Sequence, residues 1–193
     1  MSEASPTDQA TKRWSFVWGG LAADHRRYLL WQAIFGAAIV NLVLNSAIAW
    51  LSVHNEDAVP RWAVPFADRP STITDTLGTF FILPLVTCLI FTTLAHREIR
   101  HGKLEPLRWS RATHPFLRRL PSGMLRRGLA AGAITTAILG PVAVLAIIAL
   151  DVGDLTVGEF VAYKTVLGVA LGLFVTPILA IWAIAEAPAA ELS

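Results

Sequence analysis

The sequence predicts an all-α, polytopic membrane protein whose four transmembrane helices are arranged as two hairpins. Three observations predict it. Of 193 residues, 54% are hydrophobic and 16% are charged, against about a quarter charged in an ordinary soluble domain. The deficit of charge is local, because Lys and Arg almost vanish from four apolar stretches, each of the ~20–25 residues that cross a hydrocarbon layer as a helix. Such stretches can satisfy their own peptide groups in lipid only as helices, and the alternating pattern of barrel strands is absent.

Residues 1–27 form a polar segment of mixed charge, without the short apolar core and small-residue cleavage site of a signal peptide. The segment is therefore expected to stay on the chain, at the cytoplasmic side. Its Trp14, Phe16, Val17 and Trp18 lie beside Lys12 and Arg13, a composition suited to the headgroup region.

Residues 28–95 make the first hairpin. Its first span, Tyr28 to Val53, is uncharged throughout, and its second, Thr72 to Ala95, carries only Asp75 near its start. Residues 96–127 make a basic cytoplasmic loop, and residues 128–185 the second hairpin. In that hairpin the span from Gly128 to Leu150 has no charge, while the span from Ala162 to Ala185 carries only Lys164. Residues 186–193 are a cytoplasmic tail.

Orientation follows from Lys and Arg. The 96–127 segment holds nine and the N-terminal segment four, whereas the connection before Thr72 holds Arg61 and Arg69 and the connection after Asp151 holds none. The positive-inside rule then puts both termini and the basic loop in the cytoplasm, with the chain in the cell inner (cytoplasmic) membrane. The lipid bilayer is the expected partner, and anionic lipid headgroups are expected at the basic loop. Nucleic acid is not expected as a partner, because a net charge of +2 serves topology rather than a DNA-binding face.

Within the spans, small residues recur every fourth position. Gly128, Gly132, Thr136 and Gly140 form one stripe, and Lys164, Gly168, Gly172 and Thr176 another. Stripes of this kind let helix backbones approach closely, so the third and fourth helices are expected to pack on each other along them. Pro84, Pro141 and Pro177 lie inside three spans, where a missing N–H and a steric clash can kink a helix. The two hairpins also share a pattern, with Leu77, Gly78 and Phe80 before Pro84 and Leu171, Gly172 and Phe174 before Pro177. A repeat related this way would run in parallel topology.

Five polar residues inside the spans are the candidates for function: Asn41, Asn45, Asp75, Thr79 and Lys164. Polar groups in hydrocarbon are costly and must find partners or line a path. Asp75 and Lys164 are placed to meet as an ion pair, and the two asparagines serve either as interhelical glue or as a polar lining. No catalytic constellation, metal motif or cofactor motif is found, and the single Cys88 cannot form a disulfide within the chain. An enzyme is not expected.

The transition LAHREIRHGKLEPLRW from Leu94, the segment HPFLRRLP from His114 and the proline-bearing second and fourth spans resemble a group of small uncharacterised bacterial four-span membrane proteins, some labelled permease-like. The resemblance covers most of the chain and implies topology but no active residues. Two functions follow as expectations. A permease-like carrier of a small solute would need a polar path through the bundle and, with only four spans, a homo-oligomer or a membrane partner. A non-transporting scaffold or accessory subunit would need those side chains to satisfy one another in a closed core. Substrate, energy coupling and partner proteins are not readable from the residues.

Overall fold

The computed structural model describes residues 27–63, 70–104, 121 and 123–185, without the side chains of Gln32 and Ala33. The cluster around Trp14, the C-terminal tail and the middle of the basic loop, with Arg108, Arg111, Arg118 and Arg119, lie outside these residues.

Four helices account for nearly all of the described chain. Helix α1 is Leu29–Val53, wound as a π-helix over Leu29–Gly36 and as an α-helix over Ala37–Val53. Helix α2 is Thr72–Arg100, α3 is Met124–Ala149 and α4 is Val157–Ala185. Each is long and apolar enough to span a membrane, so the protein is a multi-pass membrane protein.

The helices outrun the apolar stretches at polar ends, and local chemistry explains where. Helix α2 continues through His96 to Arg100, with Arg97 and Arg100 in its last turn, where positive charge favours the helix dipole. Ser71 caps its start by accepting from the Thr74 N–H at 3.4 Å. Helix α4 begins at Val157 behind a capping box. There Thr156 N donates to Glu159 Oε2 at 2.9 Å and Glu159 N donates to Thr156 Oγ1 at 3.3 Å. Gly123 precedes α3 at φ 95°, in the left-handed region open to glycine.

The helices form a row in the order α1, α4, α2, α3, in which α4 packs against both α1 and α2, and α3 packs against α2. The expected seam between the third and fourth helices is therefore corrected. The stripe of α3 faces α2, where a Cβ on Gly132 would meet the Phe81 carbonyl oxygen at 2.5 Å and one on Gly128 the Leu85 Cδ1 at 2.7 Å. The stripe of α4 faces α1, where a Cβ on Gly168 would fall on the Asn45 amide and one on Gly172 on the Asn41 amide. A small-residue stripe specifies close approach, and it carries no information about which helix approaches.

The row is unchanged when the hairpins are exchanged, α1 for α3 and α2 for α4, but their matched side chains are not equivalent. Phe80 is 3% exposed in the core and Phe174 is 77% exposed on the outside, so matching sequence positions occupy opposite environments. Pro84, Pro141 and Pro177 lie inside α2, α3 and α4; Pro84 is fully buried and Pro141 is on the exterior.

Both ends of the row are tied. At one end the two short connections pair, Val59 and Leu155 exchanging backbone hydrogen bonds of 2.8 and 2.9 Å. Beneath them Ala49, Val53, Val59 and Phe160 form a buried cluster. At the other end, beside the basic loop, Tyr28 and, from α1, Leu29 and Ala37 cluster with Phe91 and Ala95 of α2 and Ala183 and Ile184 of α4. Arg127, which the sequence reading counts among the loop's topology-setting charges, is buried in the first turn of α3 at 3% exposure and donates to the Trp182 carbonyl at 3.4 Å. It joins α3 to α4.

Candidate functional site

Because α1 and α2 each pack along α4 and share a buried cluster only at the end beside the basic loop, a cleft of about 680 Å³ opens sideways between them. Its walls are aliphatic, with Val40, Leu44 and Ile48 on α1 and Ile82, Val86 and Ile90 on α2, each between 42% and 53% exposed. Asp75 and Glu98 lie at its two ends on α2, about 35 Å apart at 1.5 Å per residue. The π-wound start of α1 contributes Trp31 and Gly36 to the lining, a local winding often found at functional positions.

All five polar residues picked from the sequence border this one cleft: Asn41 and Asn45 from α1, Asp75 and Thr79 from α2, and Lys164 from α4. Helical spacing explains the convergence. Asn41 and Asn45 are one turn apart on the α1 face that meets α4, and Asp75 and Thr79 are one turn apart on α2. Lys164 reaches Asp75 because the starts of α2 and α4 are held at the same end by the paired connections.

Lys164 Nζ donates to Asp75 Oδ1, with side chains 7% and 18% exposed. The ammonium also lies 6.0 Å from the centre of the Phe160 ring. The second carboxylate oxygen, Asp75 Oδ2, is buried and has no hydrogen-bond partner. A buried pair of this kind is about break-even against apolar residues of the same size, yet removing one member costs about 3–5 kcal/mol.

The amides are partly self-satisfied. Asn45 Nδ2 donates to the Asn41 carbonyl oxygen at 2.9 Å and sits 3.5 Å from Asn41 Oδ1. Thr79 Oγ1 donates back to the Asp75 carbonyl at 2.8 Å. Glue between helices comes from residues the sequence reading passed over. Ser46 and Thr165 hydroxyls meet at 2.7 Å across α1 and α4, and Thr76 and Tyr163 meet at 2.7 Å across α2 and α4. Hydroxyls adjacent to the polar candidates Asn45, Asp75 and Lys164 were the available signal. Glu98 was also missed as a cleft residue, since it reads as part of a solvated loop until α2 is known to extend through it.

Among the described residues no three His, Cys, Asp or Glu side chains gather as a metal site. Cys88 is buried, with its Sγ 3.7 Å from the Met124 carbonyl oxygen. Comparison with protein-family models, with curated proteins and with solved structures finds no significant match.

Proposed function

We propose that the protein is permease-like, passing a small solute along the cleft between α1 and α2 with Asn41, Asn45, Thr79, Asp75 and Lys164 as its polar contacts. The observation that carries this reading is the cleft itself, which reaches the mid-span Asn41 and collects all five polar candidates. A scaffold would close its core around such groups. Here Asp75 Oδ2 stays unpartnered beside an open cavity, which weighs against the scaffold reading. The Lys and Arg asymmetry supports the finer proposal that the basic loop and both termini face the cytoplasm of an inner membrane.

The test is accessibility in membranes. In a Cys88→Ser background, single cysteines replacing Asn41, Thr79 or the lipid-facing Ile39 are treated with a small, charged, membrane-impermeant thiol reagent. The expected outcome is modification at 41 and 79 and none at 39. Absence of modification at 41 and 79 from either side would overturn the permease reading.

A further inference from the structure

We propose that the cleft takes a lipid-like amphiphile, the apolar walls holding its tail and the Asp75–Lys164 pair holding a head that is electrically neutral overall and bears an N–H or O–H donor. This names the substrate class of the site above and rests on the permease reading only for the claim that the occupant is moved.

Four features carry it. The walls from Val40 to Ile48 and from Ile82 to Ile90 are aliphatic, so most of an occupant's surface there must be apolar. The buried ion pair lies at one end of the cleft, at the start of α2, and offers a single head site there, with Glu98 at the far end. At the head site Asp75 Oδ2 is a buried acceptor without a donor, and the Lys164 ammonium, with three protons, donates to a single acceptor. The pair sums to zero charge, so a head with net charge would leave an uncompensated charge in a low-dielectric site. Tyr163, whose hydroxyl is engaged by Thr76, is the other titratable side chain nearby; no further Asp, Glu, Lys, Arg or His lines that end of the cleft.

The cleft of about 680 Å³ lies within the range of small-ligand sites, about 300–1,000 Å³, and its open side lets part of a longer occupant lie in the surrounding lipid.

The experiment is native mass spectrometry of the full-length protein titrated in micelles with three dioleoyl phospholipids. Phosphatidylethanolamine is zwitterionic with N–H donors, phosphatidylcholine is zwitterionic without them, and phosphatidylglycerol is anionic with O–H donors. One phosphatidylethanolamine is expected to stay bound, about tenfold more tightly than either other lipid, the worth of one hydrogen bond to a charged acceptor. Val86→Trp, which fills the cleft and leaves the ion pair alone, should abolish that retention. The double variant Asp75→Leu with Lys164→Met, which leaves no charge unpaired, should bind all three lipids alike.

Equal retention of the ethanolamine and choline lipids by the parent protein would overturn the donor requirement, and preference for phosphatidylglycerol would overturn the neutral head. Retention unaffected by Val86→Trp would overturn the location. A dimer that Val86→Trp dissociates, with no lipid bound, would make a second copy the occupant and overturn the proposal. Selective lipid binding without cysteine modification at 41 would leave a lipid site and sink the permease reading; modification without lipid selectivity would do the reverse.

Discussion

The two glycine stripes share a spacing and do different things. On α3, the stripe brings backbone to backbone: a Cβ at Gly132 would lie 2.5 Å from the Phe81 carbonyl oxygen and one at Gly128 3.2 Å from that of Leu85. On α4, the stripe makes room for side chains, and the space a Cβ would need at Gly168 and Gly172 is taken by the amides of Asn45 and Asn41. The first seam is a packing device that closes α3 onto α2. The second admits two amides between α1 and α4, and the row that results leaves a cleft where α1 and α2 would otherwise meet. A missing Cβ thus yields either closeness or polarity, depending on the facing residue.

The largest effect should come from the seam with no give. Gly132→Ala forces a methyl group against main chain, and thermal unfolding in nanodiscs should show a loss of about 3 kcal/mol, at the upper end of overpacking costs. A loss near zero would mean that the helices are not in backbone contact there.

At the amide seam the obstacle is a short side chain, so Gly168→Ala should cost less, about 1–2 kcal/mol. The loss should be largely recovered in a Gly168→Ala, Asn45→Ala double variant, because removing the amide empties the contested space. A double-mutant cycle checks this, and strict additivity would show that the two positions do not touch.

The smallest effect sharpens the contrast within α3 itself. A Cβ at Gly140 would crowd Leu77 Cδ2, at 2.9 Å, the far end of a flexible chain, and touch Thr136 Cγ2 at an ordinary 3.8 Å. The gain in helix propensity from Gly to Ala, about 1 kcal/mol in water, should offset that crowding. Unfolding of Gly140→Ala is expected to match the parent within about 0.5 kcal/mol.

The spans were legible because hydrocarbon imposes a length and a composition that no soluble helix needs. The five polar candidates were legible for the same reason, since each breaks an apolar run at a cost that demands a use. Beyond the Asp75–Lys164 pair, partnership between helices was not legible. Gly132 and Gly168 look alike in the chain, and only the fold reveals that one faces Phe81 and the other Asn45. Phe80 and Phe174 occupy matching motifs, yet one is core and the other faces outward, because motif similarity constrains neighbours along a helix and not the side to which the helix turns.

The chain's own chemistry thus determined four lipid-compatible helices, their capped ends, and which few side chains must be explained. Tertiary structure decided the row order and the existence of the cleft. The division has a physical cause: backbone satisfaction in an apolar medium is settled within each helix, whereas contact between helices depends on packing across residues far apart in sequence.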